Sequence, residues 1–452
     1  MKKLLLFLAI VFVTTSIIAQ NNLLFYNFEP VSQNLLVNPS NPHDYRFVIG
    51  FPALSGLSVN YQNTLFSLGD YLNFDDGNEN LDKIISNLDG NERINLYQNT
   101  DLLYGGFGVK KGFVSFGVQQ EATFNMVVPS QLLKFIYYGN QSESGDMNYN
   151  SSGFNAEAII QVNYHVGYQH WLLDSTLTVG GRFKYISGTG HGHFKNFGID
   201  LKSDIFEWNI KTDILLETSG YEYIDNFSAF NPFELLNSGN PGWAMDLGAS
   251  YHLPKMNFSA SVLNIGSITW KKDNKIYQSQ GEFTWNGIEI DESDQDVNFD
   301  DILDSLEQEL QFYELTPYNY KSKLPMQIMA SYEYQLHPKH AFALTYQGSN
   351  WNSKLYNNIG LSYIGRWSKR FDFTAGYSRL AGGMNNIGAG FSTALGPVQL
   401  FLMCDNVWGL YKPSQLSATN VRFGINLVFY DAHLKKEKKE KKQKKVKEEL
   451  NQ

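Results

Sequence analysis

The sequence predicts an all-β protein, a transmembrane antiparallel β-barrel of about 14 strands with short helices in its loops. Three observations lead there: strict apolar–polar alternation, connections that are alternately short and long, and a composition rich in aromatics but poor in charge. The 452 residues are 15% aromatic and only 18% charged, against roughly 25% charged in an ordinary soluble domain. Past the N-terminus no apolar run reaches the ~20 residues of a membrane-spanning helix, which excludes a polytopic helical protein. A single cysteine excludes a disulfide framework and any zinc site built from several cysteines. The abundance of Phe, Tyr and β-branched residues excludes disorder.

The elements follow in order. Lys2 and Lys3 precede an apolar run from Leu4 to Val13, and Ala19 offers a small residue at a cleavage site, so residues 1–19 are expected to be a secretory signal peptide. Residues 20–44 carry Asn38-Pro39 and Asn41-Pro42 and cannot cross lipid. They are expected to lie in the periplasm or to plug the lumen. Residues 45–430 alternate. Ala156, Ala158, Ile160, Val162, Tyr164, Val166 and Tyr168 share one face, and Glu157, Gln161, Asn163, His165 and Gly167 the other. Leu177–Tyr185, Met245–Tyr251, Ile359–Trp367 and Val421–Tyr430 repeat the pattern. Residues at i and i+2 share one face of a strand, so this is the strand signal.

A soluble sandwich would fill the polar face with Lys and Glu. Here that face holds Gly, Ser, Thr, Asn and isolated charges, as a crowded barrel interior requires. The aromatics gather near strand ends, at Tyr164, Tyr168, Tyr185, Tyr251, Trp367, Phe371 and Tyr430, as in the girdles of outer-membrane barrels. Connections are short at 110–112, 173–175, 254–255, 337–339 and 368–369. They are expected to be long at 63–95, 123–153, 220–242, 287–322 and 406–418. Helical spacing recurs at Ile302, Leu306, Leu310 and Tyr313, and more weakly over Leu81–Leu88. Residues 433–452 carry nine Lys and four Glu. With 431 and 432 they form a Lys/Glu-rich tail, expected in the periplasm and read as a solvated extension, with contact to an anionic polymer such as peptidoglycan as the alternative. The chain as a whole is −9, so the barrel is more acidic than that total.

No catalytic template is present: there is no Walker A loop, His-Glu-x-x-His or Gly-x-Ser-x-Gly. The reading is of a non-enzyme with no catalytic, cofactor-binding or metal-binding residues and no cofactor. His191 and His193 lack a third ligand, and the acidic run Asp291–Asp301 lacks the spacing of a helix–loop–helix calcium site. Charged and ionisable residues on the polar face are more informative. Glu157, His165, Arg182, Lys184, Asp246, Arg366, Asp372 and Arg422 all fall there, and buried charges must pair. A lumen-facing polar network is therefore expected. Outer-membrane lipid is the expected surrounding, and nucleic acid is excluded as a partner by the export signal.

The segments Asp246-Leu-Gly-Ala-Ser-Tyr251 and Ser261-Val-Leu-Asn-Ile-Gly-Ser-Ile-Thr-Trp270 carry a resemblance. Asn38-Pro39, Gly181–Tyr185, Cys404-Asp405-Asn406 and Arg422–Leu427 add to it. Over roughly residues 23–430 the chain resembles an uncharacterised family of Bacteroidota outer-membrane barrels, a domain-of-unknown-function family, and is more distantly similar to FadL-type and PorV-like barrels. Asn264 stands where an acidic residue is the commoner expectation. The FadL-type likeness implies passage or binding of small hydrophobic solutes. The PorV-like likeness implies the alternative, an envelope-organising or type IX secretion-associated barrel acting through protein partners.

Overall fold

Alternation in the sequence becomes alternation in burial. Along 182–185, Arg182 and Lys184 are 5% and 2% exposed, whereas Phe183 and Tyr185 are 47% and 46% exposed. The polar residue is inside and the aromatic one outside, the inverse of a soluble protein. The computed structural model describes residues 22–67, 78–138, 147–150, 153–203, 208–220, 234–285, 312–352, 354–368, 370–381, 383–412 and 416–430. The expected signal peptide, the Lys/Glu tail and the acidic run 291–301 lie outside these residues.

The first third holds β1 (Tyr45–Gly50), β2 (Leu57–Asn63), α1 (Asn78–Asn87), β3 (Asn91–Val109), β4 (Gly112–Pro129), α2 (Ser130–Tyr138) and β5 (Met147–Asn150). There follow β6 (Asn155–Leu172), β7 (Leu177–Ser203), β8 (Trp208–Ser219), β9 (Pro241–His252), β10 (Met256–Trp270) and β11 (Asn274–Trp285). The last part holds β12 (Tyr313–Leu315), β13 (Tyr320–Lys323), β14 (Met326–His337), β15 (His340–Trp351) and β16 (Lys354–Gly365). It ends with β17 (Phe371–Arg379), β18 (Asn385–Leu395), β19 (Val398–Cys404), α3 (Val407–Tyr411) and β20 (Ala418–Tyr430).

These strands make a closed antiparallel barrel of 14 strands. Closure is made where β20 pairs with β1 and β2, and both of these pair with β3. β1 and β2 lie end to end in one wall position, and the chain between them bends through Ala53 at φ 59°. β13 likewise continues the line of β14 against β10. With every wall strand paired on both sides, no backbone edge meets lipid.

The short turns 110–111, 173–175, 253–255, 338–339 and 396–397 gather at one end with both barrel termini, Tyr45 and Tyr430. That end faces the periplasm in outer-membrane barrels. Its rim carries exposed Tyr168, Tyr251, Trp367 and Tyr430, and a second exposed ring includes Tyr185 and Trp243. Tyr185 pairs with Trp243, and Leu177 with Tyr251. Eight residues at about 3.3 Å, tilted about 40°, separate the two levels by roughly 20 Å, close to the ~25 Å apolar band of such barrels.

Several expected loops prove to be strand. β3 already begins at Asn91 and β4 runs to Pro129. β7, at 27 residues, reaches far past the membrane and there pairs with β8, which pairs with β11, which pairs with β12. In this extension one face still packs inward, with Ile210, Ile214 and Ile276 buried. Tyr313, expected to close a helix, instead opens β12; the rest of that stretch lies outside the described residues. α1 falls where Leu81–Leu88 predicted a helix.

Candidate functional site

The lumen is occupied. Residues 22–44 fold back into it, mostly buried, with a short 3-10 turn at Ser32–Leu36. Glycines on the inward face make the room. A Cβ on Gly180 would lie 1.9 Å from the Pro39 carbonyl oxygen, and one on Gly248 would lie 2.6 Å from Asn38 Oδ1. Leu24, Phe25, Tyr26, Phe28, Val31 and Val37 of the segment pack with Met329, Phe401 and Met403 of the wall.

Polar groups tie the segment to the wall throughout. Asn27 Nδ2 donates to Thr345 Oγ1 at 2.8 Å. The Gln33 and Asn426 amides bond reciprocally at 2.7 and 3.0 Å. Ser40 and Ser250 hydroxyls meet at 2.7 Å, and Ser261 donates to the Val37 carbonyl. Gln399 donates to the Pro30 carbonyl at 2.6 Å.

Three of the expected network residues meet beside this segment. Arg182 pairs with Asp246 at 2.5 Å and donates to the Leu36 carbonyl at 2.8 Å. Lys184 lies 3.0 Å from the other Asp246 oxygen. That oxygen also accepts from the Asn264 backbone at 2.7 Å. One carboxylate thus answers two cations, leaving the trio net positive. Asn264 has φ 62° and sits in a bulge where the β9–β10 register shifts between Val262 and Ile265. Its side chain accepts from Lys184 and donates to the Pro325 carbonyl, bridging β10 to the start of β14.

The others are placed apart. Arg422 donates to Asn22 Oδ1 at 2.8 Å, with its guanidinium 4.1 Å from the Phe25 ring centroid, a cation–π contact. Arg366 lies just past the end of β16 rather than within the strand. It joins Glu29 of the inner segment to Glu333 of the wall at 3.3 and 3.2 Å. Glu157 stands near the long-loop end, accepting from Trp351 at 2.6 Å and lying 3.5 Å from His191. Asp372 is half-buried on the inward face without an ion pair among the described contacts. His165 is buried, yet neither ring nitrogen has a partner. The structure thus divides the expected network into four separate places, with Asp372 and His165 making no ion pair of their own among the described residues.

Sequence reasoning missed Glu29, Glu333, Gln33, Asn426 and Asn264. Glu333 was legible, since it alternates inward with Ser331 between Tyr332 and Tyr334. The partners in 22–44 were not, because that segment has no periodicity. Among the described residues no three His, Cys, Asp or Glu converge closely enough to hold a metal. His191 and His193 instead face Glu157 and Glu217, each at 3.5 Å.

Towards the long-loop end, past Leu23, a cavity of about 100 Å³ remains. Its lining mixes Ile94, Met126, Ile159 and Leu324 with Arg93, Glu121, Gln161 and Asn264. The closed wall and its exposed apolar band place the protein in the outer membrane, in contact with lipid.

None of the curated proteins matches. Among solved structures, the chain is similar to the toluene transporter TbuX of Ralstonia pickettii, at 10% identity and a TM-score of 0.42, covering 88% of this chain and 93% of that one. It is similar to the toluene transporter TodX of P. putida at 10% identity and TM-score 0.42, covering 88% and 95%. A FadL homologue of Pseudomonas aeruginosa follows at 8% and 0.38, covering 87% and 92%. A family profile matches residues 39–405, and on that match the chain belongs to the family of unknown function DUF5723.

Proposed function

We propose that the protein is a non-enzymatic passage or binding protein for small hydrophobic solutes, held closed by residues 22–44. The observation that carries this reading is the mixed apolar and polar cavity lying directly outside a tightly bonded inner segment. At about 100 Å³ the cavity is well below the ~300 Å³ of an ordinary ligand site. It accepts several waters or a very small solute, so anything larger passes only when the segment gives way. The bonds supporting closure come from side chains of the wall to backbone and side chains of the segment, so the segment can leave without breaking any strand pair.

Planar-bilayer recordings test this. The full chain should conduct little, and a chain lacking residues 22–44 should conduct strongly. A small aromatic solute added to the full chain should quench the fluorescence of Trp351, which lines the cavity, and a Trp351→Phe variant should lose that component. Equal conductance with and without the segment, together with no quenching, would sink the proposal.

A further inference from the structure

Charge is spread unevenly between the two ends of the barrel. The chain as a whole is −9, yet its short-turn end is basic. Arg46, Lys110, Lys111, Lys255, Lys339 and Arg370 are exposed there, against exposed Asp44 and Asp174. None of the six cations takes part in an ion pair among the described residues. At the long-loop end Lys195, Lys211 and Lys272 have carboxylate partners in Glu217, Glu282 and Asp273. Exposed acids such as Asp89, Asp200 and Glu314 are interspersed with the cations there.

The short-turn cations form a ring and not a patch. The wall reaches this end at six hairpin turns and at the paired ends of β1 and β20. Arg46 marks the paired ends, and the β3–β4, β9–β10, β14–β15 and β16–β17 turns carry Lys110 with Lys111, Lys255, Lys339 and Arg370. The β6–β7 turn holds Asp174 instead, and the β18–β19 turn is the uncharged Gly396-Pro397. Successive turns lie two strands apart, about 12 Å along a wall of ~4.8 Å strand spacing tilted by about 40°. That exceeds the ~8 Å over which charges act in physiological salt, so each cation answers to its own surroundings.

Depth narrows the choice of partner. Val109 precedes Lys110, Leu253 and Met256 flank Lys255, Leu336 stands shortly before Lys339, and Trp367 shortly before Arg370, all of these apolar side chains being exposed. Basic side chains just past a lipid-facing apolar band and its aromatic girdle lie at the level of the headgroups. A docked protein covers one sector of such a rim, whereas lipid meets every sector at once.

We propose that the short-turn rim is a binding ring for the anionic headgroups of inner-leaflet phospholipids, its six cations each meeting the phosphate of an adjacent lipid. The barrel thereby gathers an annulus of anionic lipid on its periplasmic side, whatever its lumen passes.

Spin-labelled lipids in vesicles of phosphatidylcholine holding the full-length protein test this. The immobilised fraction of labelled phosphatidylglycerol should exceed that of labelled phosphatidylcholine by roughly two- to fivefold, since one cation near an anionic surface is worth about fivefold. A Lys110→Gln/Lys111→Gln/Lys255→Gln/Lys339→Gln variant should lose most of that preference. Lys83→Gln, exposed on α1 at the other end, should keep it, and so should a chain lacking residues 433–452. Equal immobilisation of the two lipids by the unaltered chain would overturn the ring. So would a preference that survives in the quadruple variant, or one that disappears with the tail alone. Retention on isolated peptidoglycan that depends on the four lysines, without any lipid preference, would assign the rim to that polymer and overturn it too. If the quadruple variant does not insert, the tail-less chain decides. Its preference should vanish in 1 M salt, where the Debye length is about 3 Å, and persistence there would sink the proposal.

Discussion

At Gly180 a single hydrogen atom decides whether the inner segment can sit. Any side chain there strikes the Pro39 carbonyl, so Gly180→Val should unseat residues around 39 and raise bilayer conductance. The barrel itself should stay folded, judged by its circular dichroism. Asp246 is the complementary case. Asp246→Asn leaves Arg182 and Lys184 buried without a counter-charge, and such breakage costs roughly 3–5 kcal/mol, measurable as a lower urea midpoint. His43 lies outside the wall strands, before β1. Burial lowers its imidazole from the usual value to about 4, the nearby Asp44 charge opposing this. Between about pH 6.5 and 4 the unfolded chain therefore binds more protons than the folded one. Stability contributed by this residue is present above that window and is lost as pH falls through it. His43→Gln should flatten the pH dependence of the unfolding midpoint there. Gly180 and Asp246 were readable in sequence as part of a polar face. Their partners were not, since Asp246 and Asn264 meet only because a bulge turns the Asn264 backbone to φ 62°.

Among elements, the wall and its extension are separable. β7 pairs with β9 through residues 177–187 and with β8 through 191–203, so on that side the wall pairing ends before the extension begins, while β6 still pairs with residues 191–193. Replacing residues 208–219 and 274–285 with short linkers should therefore leave a barrel that inserts into lipid and resists protease. A collapsed or uninserted product would show that the extension is needed for closure. Strand existence was legible wherever one face meets lipid, because only there does the apolar period stand out. It was not legible in β12, whose three residues are too few to show a period.

For the whole molecule, closure and filling are independent. The pairs that join β20 to β1 and β2, and these to β3, involve no residue before Tyr45. Deleting residues 22–44 should thus preserve the barrel while lowering its thermal midpoint, since the apolar cluster around Phe25 and Phe28 is lost with them. Unaltered thermal stability would mean that the segment is only loosely held.

Local information was enough for the class of fold, the outer-membrane address and the count of wall strands. Each of these follows from a period-two pattern that lipid on one side and a polar lumen on the other impose on every strand. Tertiary structure alone decided that the lumen is filled and which cations share Asp246. It also decided that β1 and β2 occupy one wall position. Those depend on contacts between residues as far apart as Asn22 and Arg422, which no periodicity along the chain records.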